Sequence, residues 1–190
     1  MIGFSMGENL MSAIFENEMI RLRDAVLNDA EELLHTNNDD EVMMYYGKNP
    51  YNQDIQGARD EILWFRSLLA ENKGVRWVIA DKASNQYIGD IGVFNFEPDH
   101  NRAELGFKLQ KKYWNKGIMR VCIQQVLEFA FEEKSYNRIE ALVDPRNIGC
   151  QKTLKKNGFQ LEGALREYEF ERGQYIDLQM YSILRREFSK

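Results

Sequence analysis

One stretch, residues 104–127 (ELGFKLQKKYWNKGIMRVCIQQVL), limits what this chain can fold into more than any other. Ala103, Leu105, Phe107 and Leu109 alternate with Glu104, Gly106 and Lys108, the period of a strand with one buried face. Ile118, Cys122, Val126 and Ala130 then recur at four-residue steps, which marks one face of a helix. Gly117 stands at the junction. Lys108, Lys111, Lys112, Lys116 and Arg120 surround it, with no acidic residue between Glu104 and Glu128. Free N–H groups at a helix start, a glycine and nearby cations make either a place to hold a phosphate or a solvated basic turn between two core elements.

The net charge of −5 argues against general nucleic-acid binding, but it hides an asymmetry. Residues 105–127 and 145–161 contain no Asp or Glu and together hold nine basic residues: the five above plus Arg146, Lys152, Lys155 and Lys156. The rest of the chain carries 16 basic against 30 acidic residues. If the two cationic segments meet in space, they form one positive site suited to a small polyanion. Cys122 and Cys150 are the only cysteines, and Cys122 falls on the apolar helix face. A disulfide framework is therefore not expected, and a reducing, cytoplasmic compartment fits best. No run is long enough to span a membrane. Residues 1–16 read as a loosely ordered leader, 17–185 as a single domain and 186–190 as a tail.

The coarse order of elements is a strand at 19–23, two or three helices between 28 and 72, and strands at 76–81, 87–94 and 103–109. The central helix follows, then a strand at 138–143, a helix opened by Asn147 and two strands to 184. Asn28 or Asp29 is placed to cap the first helix, and the NNDDE run at 37–41 to cap a short one holding Met43 to Tyr46. The amphipathic helix from Asp54 presents Ile55, Ala58, Ile62, Phe65 and Leu69 on one face. Such an order makes a mixed α/β sheet with crossover connections only in its second half.

Over residues 17–185 the chain resembles the GNAT N-acetyltransferase superfamily, and more closely its ribosomal-protein-amine (RimJ/RimL-like) branch. Three segments carry the likeness: AELGFKLQKKYWNKGIMR (103–120), DPRNIGCQKTLKKNGFQLEG (144–163) and REYEFERGQYIDLQMYSIL (166–184). Two departures stand out: Met119 replaces the last small residue of the glycine turn, and Cys150 stands where the branch usually has Ser. The resemblance implies a mostly antiparallel sheet of six to seven strands with about four helices and its central strands splayed apart. It also implies acetyl-coenzyme A as donor, an amine as acceptor, no metal, and a monomer or homodimer.

In that fold the N–H groups of Asn115, Lys116, Gly117, Ile118, Met119 and Arg120 would face the pyrophosphate. Lys112, Trp114, Lys116, Arg120, Lys152 and Lys156 would line the same site, and the strand backbone of Phe107, Lys108 and Leu109 would bond the amide-rich arm. Asn147 would offer a further amide, cap its own helix, or do both. Glu104 is the implied base, and it faces away from Ala103 and Leu105; on residue type alone a surface strand carboxylate is the favoured reading. Cys150, Tyr181 and Tyr168 are candidates to protonate the departing thiolate, and Cys150 is also read as lining the cofactor or simply packing well. Acceptor specificity would come from residues 43–46, Trp64, the 96–101 loop and the 166–181 hairpin. The acceptor is a ribosomal or other protein α-amine, a polyamine or an antibiotic; a silent acyl-CoA-binding module is the alternative of another class. A nucleotide-binding enzyme is disfavoured because no Gly-x-x-x-x-Gly-Lys-Ser/Thr run is present.

Overall fold

The structure, a computed structural model, describes residues 14–47, 51 and 53–188. Its strands are β1 (Phe15–Glu16), β2 (Ile20–Arg23), β3 (Val75–Asp81), β4 (Tyr87–Glu97), β5 (Arg102–Leu109), β6 (Arg138–Val143), β7 (Gln160–Glu171) and β8 (Gln174–Leu184). Its helices are α1 (Ala30–Asn37), α2 (Ile55–Ala70), α3 (Ile118–Glu128) and α4 (Ile148–Lys156). The strands form one sheet of eight, one more than the upper expectation, in the order β1-β2-β3-β4-β5-β6-β8-β7. The addition is the two-residue β1, whose Phe15 and Glu16 pair with Leu22 and Arg21. Most of the expected leader lies outside the described residues.

Two layers of side chains cover the sheet. Trp77, Ile79, Ile91, Val93, Ala103 and Leu105 face α3 and α4. Val78, Ala80 and Tyr87 face α1 and α2. Alternation along each strand separates the two sets, so burial of one face dictates what the other presents.

One pairing positions the site. β5 and β6 are parallel neighbours, but they pair only at Arg102, Ala103 and Glu104 with Arg138, Ile139 and Glu140. Beyond Glu104 the two strands diverge, while β5 stays paired to β4 as far as Leu109. The Gln110 N–H bonds Ile88 on β4. By alternation, Leu105, Phe107 and Leu109 turn their backbone groups toward the opening, whereas Gly106 and Lys108 turn theirs toward β4.

Local expectations fail where a side chain has a tertiary partner. Asp29 does not cap α1; its carboxylate takes Arg23 at 2.7 and 2.8 Å and the Val26 N–H at 2.9 Å. Residues 43–46 form turns rather than a helix. Ile55 and Leu69 of α2 are exposed, and the buried face instead carries Ala58, Glu61, Ile62, Phe65 and Leu68. Asp54 does cap α2, accepting from the Gly57 N–H at 2.7 Å.

Candidate active site

The turn before α3 is built by two left-handed residues, Asn115 at φ 59° and Gly117 at φ 77°. A Cβ at Gly117 would meet nothing within 4 Å, so the glycine is required by backbone angle and not by crowding. No side chain among the described residues caps α3, so the N–H groups of its first turn are without a side-chain cap. Ile118 and Met119 bury their side chains in the core below, which reconciles the bulky Met119 with an open turn. The Trp114 indole donates to the Leu109 carbonyl at 2.7 Å, tying the turn to the end of β5.

α4 packs on the same side of the sheet as α3, with Leu154 in the same core and Cys150 against it. The two cation-rich segments therefore meet. Not every cation contributes. Lys111 pairs with Glu41 at 2.5 Å and Arg146 with Asp144 at 2.5 Å. Lys112, Lys116, Arg120, Lys152, Lys155 and Lys156 make no ion pair among the described residues. The Lys112 and Lys116 ammonium groups each lie 5.2 Å from the Tyr113 ring.

Lys108 requires a correction. It is buried on the opposite face, where Nζ donates to Glu61 at 2.6 Å and Asn37 at 2.7 Å and lies 3.6 Å from Asp90. Its backbone faces β4. It therefore belongs to neither the positive patch nor the open edge, because strand alternation sends it away from both. Phe107 and Leu109 remain on that edge, though Trp114 already occupies the Leu109 carbonyl.

Asn147 caps α4, accepting from the Cys150 N–H at 3.0 Å, which leaves its amide N–H groups for another partner. The Cys150 thiol is pushed up to about 12 by burial. Tyr181 is buried, and its hydroxyl lies 3.4 Å from Gln151 Oε1 and 3.3 Å from Gln179 Oε1. Burial, and then the neighbouring Cys150, raise its phenol. Tyr168 is 52% exposed on the outer hairpin.

Glu104 sits at the last paired residue before the opening, on the α1/α2 side. Burial raises its carboxyl, a 3.2 Å bond from Asn95 opposes this, and the charges of Glu140 and Glu169 raise it further. The two sides of the sheet thus meet at one gap: cations and a helix start on one side, a protonatable carboxylate on the other. On the same sheet face as Glu104 lies a buried charged cluster around Lys108, whose other members sequence reasoning overlooked. Arg76, Asp90, Lys108 and Glu61 are all under 7% exposed. Arg76 bonds Asp90 and, at 2.8 Å, the Tyr46 hydroxyl; Tyr87 also donates to Asp90. The available signal was a charge at an inward strand position, in VRWVIAD and in IGDIG. Of the expected specificity elements, Tyr46 and Trp64 border this side, while Phe96 stacks on Tyr136 in the other core. Among the described residues no group of His, Cys, Asp or Glu is arranged to hold a metal ion.

Residues 20–160 match the acetyltransferase (GNAT) domain family. An uncharacterized N-acetyltransferase, p20, of Bacillus licheniformis is 36% identical over 172 residues, covering 90% of this chain and 96% of that protein. Two solved structures share the fold. One is a ribosomal-protein-S5-alanine acetyltransferase from Vibrio fischeri, at TM-score 0.79 and 23% identity, covering 93% of this chain and 98% of that one. The other is a spermidine N-acetyltransferase from Vibrio cholerae in complex with CoA and spermine, at TM-score 0.77 and 24% identity, covering 90% and 98%. A turn with open N–H groups beside a splayed strand, in a chain matched over most of its length, places this protein in the GNAT acetyltransferase family as an acetyl-CoA-dependent N-acetyltransferase.

Proposed function

We propose that the acceptor is the α-amine of a peptide or protein N-terminus, a ribosomal protein being one candidate, and that Glu104 is the base. The observation that carries this is the position of Glu104: a carboxyl raised by burial, at the point where β5 and β6 part. At pH 7 an α-amine, with pKa about 7.7–8.0, is already roughly a tenth neutral. A lysine amine, with pKa about 10.4, costs about 4.6 kcal/mol to deprotonate. A carboxylate, even one raised by burial, is suited to the first task.

Acetyl-CoA supplies an acyl carbon bonded to a thiolate leaving group. The chain's residues do the rest. The N–H groups at residues 115–120, with Lys112, Lys116 and Arg120, hold the pyrophosphate, and Lys152 and Lys156 add charge from α4. The Phe107 backbone and the Asn147 amide hold the pantetheine arm in the gap. Glu104 receives, directly or through one water, the proton the amine loses as its nitrogen bonds the acyl carbon and the C–S bond breaks. Cys150 and Tyr181 lie on the donor side. A thiol at about 12 gives its proton to an ordinary thiolate only uphill, so both groups serve as hydrogen-bond donors to the sulfur, not as full acids.

One observation favours a second reading. Glu104 and Glu169 lie on the acceptor side, beside a Glu140 already paired with Arg138 and Arg102, and this acidity suits a polycation such as a polyamine. Acetylation of a panel holding N-terminal peptides, lysine side chains and spermidine, read by mass spectrometry, decides. Modified α-amines support the first reading, and modified spermidine alone supports the second.

A further inference from the structure

Arg76 has one nitrogen to spare. Nε and Nη2 are spent on Asp90 and the Tyr46 hydroxyl. Among the described residues Nη1 has no hydrogen-bond partner, although every fully buried side-chain polar atom there has one. The side chain is only 2% exposed, so that small exposed part includes Nη1. The register explains where it points. Arg76 pairs with Gly92, and Gly92 with Gly106, so two residues without side chains lie in its row across β4 and β5. The guanidinium crosses them between the Phe65 and Phe94 rings, at 5.6 and 5.8 Å. A Cβ at Gly106 would lie 2.8 Å from Nη1 and 2.7 Å from Phe94 Cε1. Nη1 therefore stands over β5 at the start of the opening, one same-face position from Glu104.

Resting on the α-amine reading above, we infer that Arg76 Nη1 is a specificity-determining donor to the carbonyl oxygen next to the acceptor's α-carbon, and that the acceptor class is an α-aminoacyl amide. Same-face positions on a strand are about 6.6 Å apart. An α-amine held near Glu104 and its own carbonyl oxygen held by Nη1, each about 3 Å from its partner, span that distance. The charge balance selects the amide over a free amino acid. Asp90 offsets Arg76 and Glu61 offsets Lys108, so Nη1 offers a hydrogen bond without an unbalanced cation. Glu169 nearby repels a carboxylate, while the Glu140 charge is taken up by Arg138 and Arg102. A polyamine has no oxygen to give Nη1, which would then stay unpaired.

The test compares kcat/KM, corrected for the neutral amine fraction, for three acceptors: alaninamide, free alanine, and a fluorinated alkylamine of matched basicity without a carbonyl. The wild type is expected to favour alaninamide at least tenfold over both. Arg76→Lys keeps the charge and shortens the fork, and it should bring the alaninamide-to-alkylamine ratio to within about threefold of one. Acetyl-CoA affinity by calorimetry reports whether the variant is folded. If it is not, the wild-type comparison still decides. Equal use of alaninamide and alkylamine by the wild type overturns the role of Arg76 and leaves the α-amine reading standing. So does a loss in Arg76→Lys that is the same for every acceptor, which would place Nη1 on the acyl oxygen or the fold instead. Acetylation of spermidine with no alaninamide product overturns both.

Discussion

Glu104 and Lys108 are four residues apart on one strand face and meet opposite fates. Glu104 lies where burial and two neighbouring carboxylates lift its pKa, so the folded state binds a proton more readily than the unfolded chain does. The sign follows: above the unfolded carboxylate pKa of about 4.3 this group costs stability, and below it the cost disappears. Glu104→Gln is expected to lower kcat about 10²-fold or more, with acetyl-CoA affinity within about twofold, and to remove the acidic limb of the pH–rate profile. The same variant should melt higher than the wild type at pH 7 and equal to it near pH 4. An unchanged profile would remove Glu104 as base. Lys108 is bound by Glu61, Asn37 and Asp90 in the interior. Lys108→Ala takes the buried ammonium from Glu61 and Asp90, leaving Asp90 to Arg76 and Tyr87 and Glu61 to Asn37 among its partners, and should cost about 3–5 kcal/mol in denaturant unfolding. In urea below the transition, its acetyl-CoA affinity should match the wild type, because neither its side chain nor its backbone faces the donor. The sequence showed that Glu104 and Lys108 share a face. It did not show that α2 brings Glu61 to one and β6 brings Glu140 to the other.

The turn into α3 and the cap of α4 are two separate elements on one side of the sheet, and both belong to the proposed donor site. Gly117→Asp places a side chain on a left-handed backbone and an anion beside the helix start; acetyl-CoA affinity should fall at least tenfold in a calorimetric titration. Gly117→Ala isolates the backbone cost and should fall less, since a Cβ there touches nothing. Unchanged affinity in Gly117→Asp would remove the phosphate role of the turn. Asn147→Ala removes the cap of α4 and should cost about 1 kcal/mol of stability by thermal melting. A further loss of acetyl-CoA affinity in that variant would mark the amide as a ligand group as well. These elements were legible because caps and turns are local: Asn147 and Gly117 act on residues within three positions of themselves. The failed cap at Asp29 marks the limit. A carboxylate that finds a buried guanidinium leaves the helix end, because the charge-assisted pair is the stronger bond.

Across the whole molecule, charge is sorted by face. Lys112 and Lys116 of the turn, Arg120 of α3 and the lysines of α4, with no ion pair among the described residues, lie on one side of the sheet, and Glu104, Glu140 and Glu169 gather on the other. The KM for acetyl-CoA should therefore rise several-fold between about 10 and 150 mM salt, as the screening length falls from about 30 to 8 Å. A flat response would argue that backbone N–H groups alone hold the phosphates. The sequence by itself determined the order of the main elements, the glycine turn, the strand face of Glu104 and the presence of two basic segments free of acidic residues. Each of these follows from periodicity, capping or composition over a few residues. Only the tertiary structure decided which cations are spent on Glu41 and Glu61, where β5 leaves β6, and that Arg76 reaches across two glycines to the gap. Those outcomes depend on sheet register and on contacts between residues tens of positions apart, and local pattern carries no record of either.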